Sequence, residues 1–228
     1  MSVKPLCADR RAVVLQPRLF SGMPDGVHEI EHAEAKAFIE RWHYSQRMPT
    51  GKNLLFGWFV GGELYAVADY GIGVNPYQAA FLQTKTGMPV CDDSLLELKR
   101  LCRTEPRRDD CPLTAFLSAC HVLLSGRGFR FVVSFSDPNH GHRGGIYRAA
   151  NFVHMGVTNP EFHCADERGN IRHRRFAFRY ARRNDVTVGA ARIRLCLTRV
   201  QTLPKDRWFY VIDPRLRRKF LKDRGVTP

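Results

Sequence analysis

The sequence lacks long apolar runs, paired cysteines and internal repeats. None of its 228 residues belong to a stretch near the roughly 20 consecutive apolar residues that span a bilayer, so we expect no membrane partner. The seven cysteines are scattered without a CxxC pair, which is typical of reduced thiols in a cytoplasmic protein rather than of a disulfide framework or structural zinc site. Residues 7–11 provide no apolar core for a signal peptide. We therefore expect a cytoplasmic protein.

Acidic residues are scarce in the C-terminal part of the chain. Residues 1–140 hold 16 Lys and Arg against 15 Asp and Glu, whereas residues 141–228 hold 20 against 7, mostly arginine. Because the guanidinium fork matches phosphate geometry, this clustering predicts a nucleic-acid surface. A merely soluble basic face, or affinity for acidic membranes, ranks second because the charges are clustered rather than interspersed. The candidate contacts are Arg143, Arg172, Arg174, Arg175, Arg182 and Arg183.

Length and hydrophobic pattern predict one catalytic domain over residues 1–228, whose basic part (about 157–228) binds nucleic acid. Residues 71–94 are rich in Gly and Pro and are predicted to be a long functional loop. The predicted α/β class is a mixed sheet covered by helices. The elements expected in chain order are a helix over Glu29–Trp42, a hairpin of Leu54–Val60 and Glu63–Tyr70, a strand over Leu95–Cys102, a helix capped by Asp110 and ending at Gly126, a strand over Phe129–Phe135, a short helix over Ile146–Asn151, late strands over Arg174–Tyr180 and Trp208–Ile212, and a helix over Pro214–Leu221.

A polar, glycine-rich segment follows the predicted strand Phe129–Phe135. Ligands of open α/β sheets bind beyond the carboxyl ends of the strands, which favours Ser136, Asp137, Asn139 and His140 as functional residues. Asp137 can act as a base if burial raises its pKa. The alternative is that Asp137 only shapes a turn with Pro138.

Residues 146–152 (IYRAANF) are similar to the LYxxxGF signature of the GNAT acyltransferases. Asn151 stands where that family has glycine, and asparagine tolerates the same left-handed helix end. The resemblance covers residues 54–156 as a pattern of elements. It implies a GNAT-like, mostly antiparallel mixed sheet, and it implies that Tyr147 protonates the leaving group.

The connection from Arg103 to Pro112 departs from the GNAT pattern. GNAT enzymes bind the pyrophosphate of coenzyme A in a glycine-rich loop here, whereas this segment has no glycine and carries two aspartates. Arginines are then the candidate contacts for the donor's phosphates. They are Arg100, Arg103, Arg107 and Arg108.

Three segments together resemble the phage Mom family: residues 42–45 (WHYS), 96–101 (LELKRL) and 134–147, which contains SFSDP and HRGGIY. That resemblance implies conversion of adenine in double-stranded DNA to its N6-carbamoylmethyl form, which shields phage DNA from host restriction. An enzyme must extrude the base and remove an N6 proton as the new bond forms. The candidate catalytic residues are Asp137 as base, Tyr147 as acid, Tyr44, Ser45 and Ser136 as orienting groups, and His43.

The donor and the reaction class remain open at this point. Glycyl-tRNA can supply a glycyl group that rearranges on N6, and acetyl-coenzyme A can serve only if its methyl group is oxidised, with iron as one candidate metal. Asp137, His140, His142, His163 and His173 can supply oxygen and nitrogen ligands for a metal. Histidines in an arginine-rich chain more often contact phosphate or solvent, so no metal site is assigned. The alternative functions are N-acyltransfer to a protein, a tRNA-linked amine or a small amine, and non-catalytic nucleic-acid binding.

Overall fold

The structure, a computed structural model, describes residues 23–73 and 75–224. Cys7 and the other residues weighed for a signal peptide lie outside the described residues. The strands are β1 (Gly26–Glu29), β2 (Asn53–Val60), β3 (Glu63–Gly71), β4 (Leu95–Arg103), β5 (Phe131–Ser136), β6 (Val153–Val157), β7 (Phe162–Ala165), β8 (Ile171–Arg172), β9 (Thr198–Gln201) and β10 (Asp206–Val211). The helices are α1 (His32–Trp42), α2 (Gln78–Thr86), α3 (Leu113–Gly126), α4 (Gly145–Ala149), α5 (Arg175–Arg183), α6 (Val188–Arg194) and α7 (Pro214–Lys222).

Seven strands form the main sheet, in the order β1-β2-β3-β4-β5-β10-β6, and β8-β7-β9 form a smaller one. Alternate residues of the central strands face opposite layers, as the two-residue period of a strand requires. Val132 packs with α3 on one face, whereas Phe131 and Val133 pack with α2 and α7 on the other. The predicted class, a mixed and mostly antiparallel sheet flanked by helices, is confirmed. No helix in the described part of the chain is long and apolar enough to cross a bilayer.

The strands β4 and β5 are the parallel pair in the main sheet, and they pair over only half of β4. Their register runs from Leu95 opposite Phe131 to Leu98 opposite Ser134. Beyond that point β3 still pairs with β4 and β10 with β5, so the two halves of the sheet separate. A cleft therefore opens at the carboxyl ends of two parallel strands, where sequence reasoning placed the site.

The basic segment 158–205 is an insertion whose two ends meet. Val157 at the end of β6 lies opposite Asp206 at the start of β10. The backbone N–H of Thr158 donates to the Lys205 carbonyl oxygen at 2.8 Å, and the Lys205 N–H donates to Thr158 Oγ1 at 3.0 Å. The small sheet, α5 and α6 are thus held at a fixed place on the main sheet, next to the end of β5.

Most sequence-predicted elements are present with shifted ends. The hairpin turns at Gly61 and Gly62, both with positive φ, and Asn151 has the expected left-handed φ of 60°. The helix expected from Glu29 begins at His32, because residues 26–29 pair with β2 as β1. Asp110 does not cap α3: its carboxylate binds Arg108 at 2.9 Å, and the helix starts after Pro112.

The strand predicted over Arg174–Tyr180 is wrong: this segment lies in helix α5. Phe176, Phe178 and Tyr180 fall at every second position, which is the spacing of one face of a strand. The structure instead buries Ala177 and Ala181, which lie four residues apart on one helical face, and leaves Phe178 54% exposed. Small side chains allow α5 to pack closely against its neighbours, so the two alanines are buried and the larger aromatic side chains are not.

The loop predicted over residues 71–94 contains helix α2. Ala79 and Leu82 of α2 are buried, and Gly87 ends the helix with a left-handed φ of 67°. The flanking glycines and prolines obscured a helix of only nine residues. The strands β6, β7, β8 and β9 and helix α6 were also missed, because each is too short to show a periodic pattern.

The close contact of Gly144 with Trp208 provides a test of the loop after β5. A Cβ atom at Gly144 would overlap the Trp208 ring at Cζ2, whereas one at Gly141 would meet nothing within 4 Å. Both residues have positive φ, 71° and 75°, so alanine strains the backbone equally at the two positions. We expect Gly144→Ala to lower the free energy of unfolding by about 1–3 kcal/mol more than Gly141→Ala, measured by urea denaturation. Equal losses would contradict this packing.

Candidate active-site cleft

The cleft between β4 and β5 has two chambers. The Tyr147 chamber, of about 350 Å³, is lined by the ends of both strands, the Gly141–Gly145 turn and Tyr147. The Gln78 chamber, of about 540 Å³, is lined by Gln78 of α2, Arg207 of β10 and the ends of the basic insertion. The residues common to both are Tyr44, Lys99, Phe135 and Asp137. Most residues predicted to be catalytic therefore meet around one cleft.

Tyr147 lies where the two strands separate. Ser134 Oγ lies 2.9 Å from the Leu98 carbonyl oxygen and 2.8 Å from the Tyr147 hydroxyl oxygen. Because a carbonyl only accepts, Ser134 can donate to Leu98 and accept the Tyr147 proton. Alternatively, Ser134 donates to Tyr147 and leaves the phenol proton free to point elsewhere. Burial raises the pKa of Tyr147 to about 12, so this hydroxyl is protonated at neutral pH.

Asp137 is held as a carboxylate by the loop after β5 and the end of the insertion. Its Oδ1 accepts from the backbone N–H of Asn139 at 3.0 Å and from Asn139 Nδ2 at 2.8 Å, and its Oδ2 lies 3.2 Å from Lys205 Nζ. Burial raises the pKa of Asp137, but the hydrogen bonds from Asn139 and the charge of Lys205 outweigh it and hold the pKa below its usual value. The sequence analysis expected Asp137 to act as a base if burial raised its pKa, and the pKa is lowered instead. The carboxylate also caps the turn Pro138–His140, as the alternative interpretation expected.

Ser136 is 2% exposed and its hydroxyl is fully engaged. Trp208 Nε1 donates to Ser136 Oγ at 2.9 Å, and Ser136 Oγ donates to Asp206 Oδ2 at 3.3 Å. The other oxygen of Asp206 lies 3.1 Å from His154 Nε2. Ser136 thus fixes Trp208, on which Gly144 packs, and has no proton left for a ligand. Its contribution is to the shape of the Tyr147 chamber.

The His43-Tyr44-Ser45 segment places a half-exposed tyrosine ring on the wall shared by the chambers. The Tyr44 ring centroid lies 4.6 Å from those of both His140 and His142. Burial, and then the positive charge of Arg100, lowers the pKa of His43 to about 3, so its ring is neutral. His43 Nδ1 accepts the backbone N–H of Ser45 at 3.1 Å, and Ser45 Oγ lies 2.8 Å from the same nitrogen. His43 and Ser45 therefore orient the segment that carries Tyr44.

Asp69 of β3 is fully buried, and its carboxylate feels the charges of Lys99 and Arg100 on β4. The sequence analysis did not identify this group of three residues. Asn53 Nδ2 donates to Asp69 Oδ2 at 3.4 Å, and Lys99 Nζ donates to Asn53 Oδ1 at 3.0 Å. Burial raises the pKa of Asp69 to about 6, against the opposing charges of Lys99 and Arg100. Lys99 lines both chambers and Arg100 the larger one. Asp69 on β3 lies opposite Arg100 on β4, and this pairing depends on the register of two strands, which the sequence alone does not reveal.

The arginines predicted to hold a donor's phosphates do not act as one group. Arg103, Arg107 and Arg108 pair with the acidic residues of their own loop, Glu105, Asp109 and Asp110, and line neither chamber. Only Arg100 of the four reaches the cleft. With no glycine in this connection and its arginines neutralised, the residues present do not fit the pyrophosphate of coenzyme A.

The residues predicted to bind nucleic acid border the cleft from two sides. Arg143 lines the Tyr147 chamber, and Arg175, the first residue of α5, lines the Gln78 chamber. The others extend from Arg175 along α5 and β8. Lys205, Arg207 and Gln78 also line the larger chamber, and sequence reasoning missed all three. Gln78 is the first residue of α2, Lys205 directly precedes β10 and Arg207 is its second residue, positions that no sequence motif marked.

The histidines once weighed as metal ligands separate into two groups. Within the described part of the chain, Glu161, His163 and His173 bring possible ligand atoms within 4.8 Å of one another, and His140 and His142 are not part of this cluster. His173 Nδ1 already accepts from the Arg175 N–H at 3.2 Å. Burial lowers the pKa of His163; the charges of Lys205 and Arg174 act in the same direction, whereas those of Glu161 and Asp137 oppose it. One carboxylate and two imidazoles form a ligand set that several divalent metals, iron among them, can use, so the cluster by itself assigns no metal.

A family model described as the Mom protein family matches residues 26–225. The chain belongs to the Mom family. Among curated proteins it is similar to the methylcarbamoylase Mom of Escherichia phage Mu, with 27% identity over 133 residues, which make up 58% of this chain and 54% of that protein. The match thus spans about half the length of the curated relative. It supports the family resemblance stated from residues 42–45, 96–101 and 134–147.

Three similar solved structures are acetyltransferases, each below 15% identity and with a TM-score below 0.5. The ribosomal-protein alanine N-acetyltransferase of Escherichia coli is 11% identical with a TM-score of 0.47, covering 82% of this chain and 92% of that one. A spermidine N-acetyltransferase of Vibrio cholerae is 9% identical with a TM-score of 0.47, covering 85% and 96%. The aminoglycoside 6'-acetyltransferase type Ii is 13% identical with a TM-score of 0.46, covering 83% and 98%.

The buried Asp69 predicts how stability depends on pH. Its pKa is about 6 in the folded state against 3.8 ordinarily, so the folded state binds more protons than the unfolded state between about pH 4 and 6. The free energy of unfolding should therefore fall by about 3 kcal/mol as the pH rises through that window. Asp69→Asn should remove this fall, as measured by urea denaturation at several pH values, whereas Glu63→Gln at the exposed end of the same strand should not. A fall that persists in Asp69→Asn would contradict the assignment.

Proposed function

We propose that this Mom-family chain modifies adenine in double-stranded DNA, converting N6 to its carbamoylmethyl form. The observation that carries the proposal is a cleft at the parted strands in which Asp137, Tyr147 and Tyr44 meet, in a chain of this family. The relative from phage Mu bears the name methylcarbamoylase.

The proposed donor is a glycyl ester such as glycyl-tRNA, because the connection from Arg103 to Pro112 does not fit the pyrophosphate of coenzyme A. Transfer of the glycyl group to N6 breaks the ester bond and releases the hydroxyl of the carrier. Attack of the glycyl amine on adenine C6 through a five-membered ring then breaks the original C6–N6 bond and leaves C6–NH–CH2–CO–NH2, with no change of oxidation state.

The carboxylate of Asp137 is proposed to accept the N6 proton. The adenine lone pair is delocalised into the ring, so N6 is a weak nucleophile and its protons are not removed from the resting base. Once N6 forms its new bond, the nitrogen becomes positively charged and its proton becomes strongly acidic. A carboxylate with a lowered pKa is then a sufficient acceptor, provided that it is ionised, which Asn139 and Lys205 ensure.

Tyr147 is proposed to protonate the leaving group. Its raised pKa keeps the proton on the phenol at neutral pH. Rotation of the Ser134 hydroxyl from Leu98 towards Tyr147 frees that proton to point into the Tyr147 chamber, because Ser134 then donates to the phenol oxygen. Asp137 and Tyr147 line the same chamber, so both proton transfers occur around one reacting group.

Helix α5 and its flanks are proposed to hold the DNA backbone. Arg174, Phe178 and Arg182 recur at every fourth residue and share one side of the helix, and Arg175, Arg179 and Arg183 form the neighbouring row. Two rows of guanidinium groups suit the phosphates of a duplex, and Phe178 is an exposed apolar side chain within the first row. Since Arg175 also lines the Gln78 chamber, DNA bound along this helix lies next to the cleft.

The direct test is mass analysis of nucleosides from plasmid DNA of bacterial cells that express the protein. A fraction of deoxyadenosine should be heavier by a carbamoylmethyl group, and the plasmid should resist restriction at adenine-containing sites. Unchanged nucleosides from soluble, folded protein would contradict the proposal. An acyl group found instead on a protein or small amine would establish the alternative acyltransferase.

Two variants test the proton transfers. Asp137→Asn keeps the shape but cannot accept the proton, and Tyr147→Phe removes only a hydroxyl. Each should lower modification by about 10²-fold or more while DNA affinity stays within a few fold. The matched controls are Asp109→Asn and Tyr77→Phe, at exposed positions, which should retain activity. Full activity in Asp137→Asn would reduce Asp137 to turn geometry, because asparagine is an equally good turn former.

A further inference from the structure

Gln78 is a buried amide without a partner. It is 4% exposed, and neither Nε2 nor Oε1 has a hydrogen-bond partner among the described residues. Leaving both ends of a buried amide unpaired costs stability, which an apolar side chain of similar size avoids. A buried amide that destabilises the fold in this way is explained if it forms its hydrogen bonds with a bound ligand.

The backbone fixes Gln78 in the wall of the larger chamber. The Gln78 N–H donates to the Asn75 carbonyl oxygen at 3.2 Å, and Asn75 Oδ1 accepts from the Tyr77 N–H at 3.0 Å, so this turn sets the first residue of α2. The helix itself is anchored by Ala79 and Leu82, which are buried in the core layer. Docking of α2 therefore does not require a polar residue at position 78.

A second unpaired polar group lines the same chamber. Arg207 is 8% exposed, and its Nε has no hydrogen-bond partner among the described residues. Its guanidinium lies 4.1 Å from the ring centroid of Phe81, nearly one helical turn after Gln78. Tyr44, which also lines this chamber, is 49% exposed. A volume of about 540 Å³ with unpaired polar groups in its wall suits a polar heteroaromatic ligand.

We propose that Gln78 binds the N6/N7 edge of the target adenine after the base leaves the duplex, an inference that rests on the proposed function. Its Oε1 accepts one N6 hydrogen and its Nε2 donates to N7, the pairing that glutamine forms with adenine. Guanine presents two acceptors on that edge, O6 and N7, and is rejected. The second N6 hydrogen is left for Asp137, which lies in the wall common to both chambers.

The experiment uses the full chain, a duplex oligonucleotide and an extract of bacterial cells as the source of donor. The oligonucleotide carries either adenine or 7-deazaadenine, which lacks the N7 acceptor. The variants are Gln78→Leu and, as a matched control, Gln83→Leu at an exposed position of the same helix. Modified nucleoside is measured by mass, and the midpoint of thermal unfolding is measured for each protein.

Gln78→Leu should modify adenine about 10-fold more slowly or worse, while its thermal midpoint rises because two unpaired groups are removed. Gln83→Leu should match the wild type in activity. Wild-type protein should modify 7-deazaadenine about 10-fold more slowly than adenine. Gln78→Leu should modify 7-deazaadenine less than about threefold more slowly than it modifies adenine, because this variant has already lost the contact with N7.

Three results would overturn the proposal. The first is full activity in Gln78→Leu. The second is a fall in activity accompanied by a fall in the thermal midpoint, which marks a structural role. The third is wild-type protein that modifies 7-deazaadenine as fast as adenine. Wild-type protein that modifies neither base overturns the proposed function itself, a result distinguishable from the other three.

Discussion

The separation of β4 from β5 after Leu98 and Ser134 is the constraint on which the site depends. Up to that pair, backbone hydrogen bonds hold the central sheet together; beyond it, each strand keeps only its outer neighbour. The backbone groups at the split need other partners, because buried polar groups are rarely left unpaired. Ser134 meets this need by bonding both Leu98 and Tyr147. The hydroxyl group that contacts the Leu98 carbonyl oxygen at the split therefore also positions Tyr147, the proposed acid.

Charge around the cleft is arranged by a few fixed contacts rather than by net charge. Lys205 and Asn139 keep Asp137 ionised, whereas burial next to Arg100 keeps His43 neutral. The excess of arginine lies mainly in the insertion and α7, and only its nearest members reach the chambers. Because the insertion begins and ends at a paired position of β6 and β10, this positive surface stays next to the cleft. The DNA binding and the base chemistry that we propose therefore share one cleft.

Several features of this protein were evident in the residue pattern alone. The hairpin at Gly61-Gly62, the apolar strand that ends near Ser136 and the helix end at Asn151 follow local rules of turn chemistry and periodicity, so the mixed sheet and the position of the cleft were predictable. The family followed from short segments dispersed along the chain. Local rules failed for α5, where the burial of two alanines decided the conformation, and for α2, whose nine residues were obscured by flanking glycines and prolines.

The sequence by itself determined the order of most elements, the loop after β5 that carries Asp137, and the asymmetry of charge. Tertiary structure alone decided the protonation states and the partners. Lys205 meets Asp137 across 68 positions of the chain, Asp69 lies in register with Arg100 of another strand, and Gln78 is left unpaired in a chamber wall. The physical reason is that a pKa and an unpaired hydrogen bond depend on burial and on neighbours distant in sequence, which no local pattern specifies.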